Sequence, residues 1–152
     1  MRESTRTTTP EHSSDKKRSN DEIIVFDAYA WVEYALDGPS AGTVKDKLDE
    51  AVEAFTPASV IAELKESMLR HGVEGDIIAK VLDFVKARTS IVDIDSIISE
   101  LAGEINFQNK KIIRDWGMLD SVVLAVSRAK SGRVLTGDPH FKRISNVIFL
   151  AK

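Results

Sequence analysis

Short apolar runs alternate along the chain with longer segments of helical periodicity. The run at 23–26 is a continuous stretch of β-branched and aromatic residues, typical of a strand buried on both faces. Further apolar runs predict strands at 55–56, 90–93, 133–138 and 146–150. Because helical segments separate these runs, the strands are expected to be parallel and joined by helical crossovers. The pattern therefore predicts an α/β fold, a three-layer α/β/α sandwich around a central, mostly parallel sheet.

The segments between these runs have the spacing or composition of helices. Thr56 and Pro57 are expected to start one of them, with Thr56 as the N-cap and Pro57 in the first turn. Asp95 is expected to cap another. The segment at 118–129 is apolar nearly all round, which predicts a buried helix. The remaining helices are predicted at 28–36, 40–54, 74–87 and 95 to about 109, and the helix begun at Pro57 is predicted to end near 71–72.

The first 20 residues differ in composition from the rest. They are rich in Ser and Thr and have no apolar periodicity, so we expect a mobile polar tail at 1–20 and one folded domain at 21–152. The tail has five basic and three acidic side chains, which gives it a net charge of +2. Because the whole chain carries −3, the remainder carries −5. This mildly acidic body lacks the broad basic stripe of a duplex-DNA binder. A solvated extension or leader explains the tail better than a nucleic-acid-binding arm does.

Composition narrows the available chemistry. The chain has no cysteine, which excludes thiol nucleophiles, cysteine-zinc sites, iron–sulfur clusters and disulfides, so a metal would bind oxygen or imidazole ligands. No apolar run is long enough to span a bilayer, and no apolar block follows the basic N-terminal residues. We therefore expect a soluble, cytoplasmic protein that does not contact membranes.

Four carboxylates stand out against the predicted elements. Asp27 and Asp138 follow apolar strands, and ligands of open parallel sheets bind beyond the carboxyl ends of the strands. Glu63 lies beside the apolar stripe of its helix, and Asp120 begins the buried helix. Taken singly, each aspartate can be a helix cap or turn residue, and Glu63 a solvated side chain. As a set they are hard oxygen ligands that would repel one another without a cation such as Mg²⁺ or Mn²⁺.

The sequence resembles the PIN-domain ribonucleases over about residues 22–150. The matching segments are IIVFDAYAWVEY, TPASVIAELKESM, GMLDSVVLAVSRAKSG and RVLTGDPHFKRI, the last being the most specific. The resemblance implies a three-layer α/β/α domain that cleaves RNA with Mg²⁺ or Mn²⁺ held by Asp27, Glu63, Asp120 and Asp138. It also implies that Thr136 orients these ligands or a water. Many members of the family are VapC-type toxins silenced by a cognate antitoxin, so an antitoxin is an expected partner.

Under this interpretation RNA is hydrolysed by a metal-activated water, and no side chain acts as the nucleophile. The alternative is a catalytically silent PIN fold that serves as an RNA-binding or assembly module. Pro139 and His140 stand where some family members have a further acidic residue or Asn. The histidines, His12, His71 and His140, show no metal-ligand spacing, so we expect them to have ordinary structural roles.

Two further expectations concern the surface. The sequence has three large apolar side chains close together, Trp31, Tyr34 and Leu36. They provide more apolar surface than a small monomer needs to expose, which predicts a homodimer. The resemblance implies a homodimer as well. Several basic residues are candidate phosphate contacts, although ordinary solvated charge explains each of them as well. They are Lys65, Arg70, Lys110, Lys111, Arg114 and Arg128.

Overall fold

The architecture is a five-stranded parallel sheet covered by helices. The structure is a computed structural model that describes residues 22–151. The strands lie in the order β3-β2-β1-β4-β5, and every neighbouring pair is parallel. Their bounds are β1 Ile23–Phe26, β2 Glu53–Pro57, β3 Ser90–Val92, β4 Arg133–Thr136 and β5 Val147–Phe149. The predicted three-layer α/β/α class is therefore confirmed, whereas the predicted tail at 1–20 lies outside the described residues.

Helical crossovers connect the strands, as parallel pairing requires. Their bounds are α1 Ala28–Ala35, α2 Ala41–Glu50, α3 Ala58–Arg70, α4 Gly75–Arg88, α5 Ser96–Asn109 and α6 Met118–Ala129, with a short 3₁₀ turn at Pro139–Phe141. Helix α1 packs on α2 and α3, α3 packs on α4, and α5 packs on α6. Within residues 22–151, none of these helices combines the length and the apolarity that a bilayer crossing demands.

Two of the predicted helix features are confirmed. The Asp95 carboxylate caps α5 by accepting a hydrogen bond from Ile98 N at 2.8 Å. In α6, all side chains from 121 to 127 are buried, and the helix contacts β1, β2 and β4. Because α6 lies directly on the sheet, its N-terminal end is held next to the carboxyl ends of the central strands.

The boundary between α2 and β2 differs from the prediction. Helix α2 ends at Glu50 rather than 54, because Glu53 already pairs with Ile23 of β1. Thr56 does not cap α3: it lies in β2, fully buried, and Pro57 precedes the first helical residue. The Thr56 hydroxyl is used elsewhere, since Oγ1 accepts a hydrogen bond from Trp31 Nε1 at 3.1 Å.

That hydroxyl belongs to a buried chain of hydrogen bonds. Thr56 Oγ1 lies 2.7 Å from Thr89 Oγ1, and Thr89 Oγ1 donates to Val85 O at 2.9 Å. Because Thr89 uses its hydroxyl hydrogen in the bond to Val85 O, Thr56 must be the donor to Thr89. Every polar side-chain atom in this series of hydrogen bonds therefore has a partner. A buried indole N–H is costly unless it has a hydrogen-bond partner, and Thr56 provides that partner for Trp31.

The aromatic residues of α1 belong to the interior. Trp31 has no exposed surface and stacks on Phe26 with ring centroids 4.8 Å apart, and Tyr34 stacks on Phe84 at 5.2 Å. The expectation that Trp31 and Tyr34 form exposed apolar surface is therefore wrong, since a neighbouring helix covers them. Of the three residues only Leu36 is exposed. The homodimer stays a prediction, without that argument for it.

Candidate functional site

The four predicted carboxylates surround one cavity. Asp27 directly follows β1, Asp138 lies two residues beyond β4, Glu63 is on α3 and Asp120 is in the first turn of α6. All four line a cavity of about 300 Å³ at the carboxyl edge of the sheet. Residues separated by up to 111 positions thus meet because β1 and β4 are adjacent parallel strands with their ends in register. The structure brings together the whole predicted set.

Asp27 and Thr136 form the buried base of the cavity. Asp27 is 6% exposed and Thr136 is fully buried. Thr136 Oγ1 donates a hydrogen bond to Asp27 Oδ2 at 2.8 Å and accepts one from Asp138 N at 3.0 Å. The other oxygen of Asp27, Oδ1, accepts from Ala28 N at 2.8 Å. One hydroxyl at the end of β4 therefore fixes both Asp27 and the turn that carries Asp138.

Asp120 is held by the turn that precedes its helix. Its Oδ2 accepts a hydrogen bond from Gly117 N at 3.1 Å. The same turn is anchored by Trp116, which is buried, donates from Nε1 to Ser121 Oγ at 2.7 Å and packs on Phe141 with centroids 5.1 Å apart. Trp116 therefore ties the start of α6 to the 3₁₀ turn after Asp138. Apart from the large size of both aromatic side chains, nothing in the sequence indicates this contact.

His140 is the residue that sequence reasoning missed. Its backbone N donates to Asp138 Oδ1 at 2.9 Å, and its Nδ1 lies 3.1 Å from the same oxygen and 3.7 Å from Asp120 Oδ2. One ligand atom from each of these three residues lies within 4.8 Å of the others. The structure therefore places His140 beside two of the predicted ligands, whereas its expected structural role stays a prediction. Only its position two residues after Asp138 could have indicated this, since Asp120 is distant in sequence.

Three of the four carboxylates, Asp27, Glu63 and Asp120, have raised pKa values in this setting. Burial raises the pKa of Asp27 to about 6, although hydrogen bonds from Thr136 and Ala28 oppose the rise. Burial also raises the pKa of Glu63 to about 7, and the charges of Asp27, Asp120 and Asp138 add to the effect. The pKa of Asp120 is raised as well, mainly by burial. Bringing the four groups together thus costs stability when they are charged.

The donor set fits a divalent cation. Four carboxylates provide hard oxygen ligands, the kind that Mg²⁺ and Mn²⁺ take, and His140 adds one imidazole nitrogen at the edge. A cation among them would offset both the mutual repulsion and the cost of burial. Arg70, which also lines the cavity, is bonded to Glu66 through Nε at 2.7 Å.

The structural roles considered for the aspartates coexist with the cluster. Asp27, Asp120 and Asp138 each accept a hydrogen bond from a backbone N–H within three residues, as a cap or turn residue does. Each side chain nevertheless keeps its position at the cavity. The two interpretations are therefore not exclusive: local caps fix the orientation of carboxylates that also face one another.

Tyr29 forms one wall of the cavity. It lines the space beside Asp27, and its ring lies against the Cα of Gly137. A Cβ at position 137 would lie 2.8 Å from Tyr29 Cζ and closer still to Cε1, so only glycine admits the ring there. Gly137 therefore lets Tyr29 pack against the turn that joins Thr136 to Asp138.

Comparison with known proteins places the chain in a family. The family model described as PIN domain matches residues 24–147, which include the four carboxylates and Thr136. The chain belongs to the PIN domain family. A comparison with curated protein sequences gives no significant match.

Solved PIN-domain structures share the fold at low sequence identity. VapC20 of Mycobacterium tuberculosis, described as a sarcin-ricin loop cleaving toxin, is 18% identical with a TM-score of 0.69, covering 82% of this chain and 96% of its own. VapBC2 of Rickettsia felis, bound to a DNA fragment from its promoter, is 19% identical with a TM-score of 0.66, covering 84% and 96%. DNA-bound VapBC of Salmonella typhimurium is 15% identical with a TM-score of 0.68, again covering 84% and 96%. At these identities the likeness concerns the fold.

Proposed function

We propose that this PIN domain is a divalent-metal-dependent endoribonuclease that hydrolyses RNA phosphodiester bonds. The observation that carries the proposal is the cavity in which Asp27, Glu63, Asp120 and Asp138 face one another with raised pKa values for three of them. Perturbed carboxylates gathered in one cleft are typical of a functional site. Membership of the PIN domain family supports nuclease chemistry at this position.

Each side chain has a defined task in this proposal. Asp27, Glu63, Asp120 and Asp138 would hold Mg²⁺ or Mn²⁺. The cation, when bound, would lower the pKa of water and offset the negative charge that develops on the phosphate oxygens. Thr136 would keep Asp27 and the Asp138 turn in place through its two hydrogen bonds. In this proposal a water oxygen would bond to phosphorus as the bond from phosphorus to the 3′ oxygen breaks, and the proton lost by the water would balance the one gained by the 3′-hydroxyl. The products would be a 5′-phosphate and a 3′-hydroxyl, so no covalent intermediate with the protein is needed.

We propose that this ribonuclease activity serves as a toxin. The fold is shared with VapC and VapBC proteins, among them a cleaving toxin and complexes solved with DNA. We therefore propose a cognate antitoxin protein as a partner and a homodimer as the active assembly. A small protein encoded beside this chain that binds it and suppresses its ribonuclease activity would support the proposal.

The test combines cleavage with metal binding. Purified protein should degrade unstructured RNA in Mg²⁺ or Mn²⁺ and be inert in excess chelator. Asp120→Asn should lose cleavage by orders of magnitude with an unchanged circular dichroism spectrum. The wild type should gain thermal stability with added metal, and the variant should gain much less, because bound ligand stabilises only the form that binds it.

Asp95→Asn is the matched control, since Asp95 also caps a helix but lies outside the cavity. It should cleave RNA like the wild type. Activity of the wild type that persists in chelator, or a fully active Asp120→Asn, would contradict the proposed mechanism.

A further inference from the structure

A second, basic groove adjoins the carboxylate cavity. It has a volume of about 380 Å³ and lies between the loop after α5 and the segment that follows β4. Its lining residues are Ile112, Ile113 and Arg114 from the loop and Pro139, His140, Lys142 and Arg143 from the segment after β4. The groove is distinct from the carboxylate cavity, because the residues named as lining the one do not line the other.

The charge of the groove contrasts with that of the protein. Three cations line it and no carboxylate does, although the chain as a whole carries −3. Within residues 22–151, Lys142 and Arg143 form no ion pair. Arg114 has only a 3.8 Å contact with Asp115, in which both side chains are largely exposed, so this pair neutralises little. The groove therefore presents positive charge that is free to meet an anion.

One residue links the groove to the carboxylate cavity. His140 lines the groove, and its Nδ1 lies 3.1 Å from Asp138 and 3.7 Å from Asp120 in the cavity. An RNA strand that extends from the carboxylates past His140 would enter this groove. Ile112, which is 66% exposed, adds an apolar side chain to the lining of the groove. Sites for single-stranded nucleic acid combine a positively charged groove for the backbone with side chains that contact the bases.

We propose that this groove binds the stretch of single-stranded RNA that flanks the bond being cleaved, with Arg114, Lys142 and Arg143 contacting its phosphates. The inference rests on the proposed ribonuclease function and adds a path for the substrate. It means that RNA extending beyond the cleavage site gains affinity from the groove, whereas the shortest substrates do not reach it. The groove residues act in binding and take no part in the chemistry.

The test replaces the three cations together. Arg114→Ala, Lys142→Ala and Arg143→Ala are combined in a groove variant, which should fold normally because all three side chains are exposed. His140 is left unchanged because it contacts the carboxylates. A control variant removes the same charge elsewhere, from three exposed lysines of α2 and α4. These are Lys45, Lys80 and Lys86.

Binding is measured first, by fluorescence anisotropy of a labelled, unstructured 12-nucleotide RNA in chelator, over a series of salt concentrations. Each phosphate contact with a single strand contributes about 0.7 to the slope of log K against log salt, so losing three should lower the slope by about 2. We expect the groove variant to show this loss and at least a tenfold weaker affinity. The control variant should keep nearly the wild-type slope. Equal losses in the two variants would overturn the proposal.

Cleavage in Mn²⁺ then separates the groove from the catalytic site. The groove variant should show a raised KM on the 12-nucleotide RNA at unchanged kcat, and wild-type cleavage of a trinucleotide that is too short to reach the groove. If the wild type cleaves RNA but the groove variant has the same KM, the groove inference fails alone. If the wild type neither binds nor cleaves RNA, the proposed function fails.

An acidic peptide is the competing ligand for a basic groove. Hexaglutamate is therefore titrated against the labelled RNA complex at the same salt concentrations. Weak, purely salt-dependent competition is expected. A peptide that binds the wild type more tightly than the RNA does, and loses this affinity in the groove variant alone, would assign the groove to a protein partner and overturn the RNA path.

Discussion

Asp27→Asn should stabilise the metal-free protein at pH 8 and fail to do so at pH 4. The pKa of Asp27 is raised from 3.8 to about 6, so the folded state binds this proton more tightly than the unfolded state does. The resulting loss of stability begins as the pH rises above 3.8 and is complete above about 6. A rise of this size corresponds to about 3 kcal/mol, and the neutral amide of asparagine avoids it.

Weaker hydrogen bonds at position 27 are expected to reduce this gain in stability. The asparagine Oδ1 can still accept from Ala28 N, and its Nδ2 can donate to Thr136 Oγ1, which has a second lone pair for Asp138 N. Losing the charge-assisted bonds costs about 1 kcal/mol. The expected net gain at pH 8 is therefore about 2 kcal/mol, on the order of 10 °C in Tm for a domain of this size. At pH 4 the gain should vanish or reverse.

Urea unfolding in chelator at pH 4, 6 and 8 measures this difference. Asp95→Asn serves as the control: it replaces a cap outside the cavity, so its effect should stay within about 1 kcal/mol and should not grow with pH. Added Mn²⁺ at pH 8 should narrow the gap, because the wild type gains metal binding that the variant loses. If Asp27→Asn keeps its fold and is no more stable than the wild type at pH 8, the carboxylate is not destabilised by its surroundings.

Two further predictions concern single contacts, and a third concerns the assembly. Thr136→Val should destabilise the protein by about 1–3 kcal/mol and reduce cleavage, because it removes the hydroxyl that bonds Asp27 and Asp138. Thr136→Ser keeps the hydroxyl and should retain the stability and the cleavage activity. Chemical denaturation and RNA cleavage assays measure these two properties. Gly137→Ala should be destabilising because its Cβ overlaps the ring of Tyr29, and combining it with Tyr29→Ala should cost less than the sum of the two, as a double-mutant cycle would show. Light scattering at tens of micromolar should return a dimer mass, and a monomer mass would contradict the proposed assembly.

The sequence predicts the fold well because a buried parallel strand has a distinctive composition. The run at 23–26 and the apolar helix at 118–129 are recognisable without any tertiary information, and both are confirmed. The boundary at 53–57 is not, because Glu53 and Thr56 are polar residues whose strand conformation depends on pairing with β1 and on a buried indole. Local propensity favours a helix cap at Thr56, and tertiary hydrogen bonding overrides it.

The surface and the site also depend on tertiary contacts that the local sequence does not reveal. Trp31 looks like an exposed anchor in sequence, since nothing local shows that Phe84 covers it. His140 looks isolated, because its approach to Asp120 arises only when the start of α6 packs beside the 3₁₀ turn. The carboxylates themselves could be found because each stands at the end or edge of an apolar element, where a charged side chain is unusual. What sequence cannot supply is the set of neighbours that each one meets.

The way in which the carboxylates are fixed explains how the chain tolerates their repulsion. Each aspartate of the cavity is oriented by a backbone N–H from its own turn, so its position does not depend on attraction to a distant partner. Only Asp27 is nearly fully buried, and it alone receives a side-chain hydrogen bond, from Thr136. The energetic cost is nevertheless not confined to Asp27, because burial and the neighbouring charges also raise the pKa of Glu63, on α3, to about 7. A cation bound among these carboxylates would offset both the cost of burial and the mutual repulsion, while the local hydrogen bonds already hold the ligands in place.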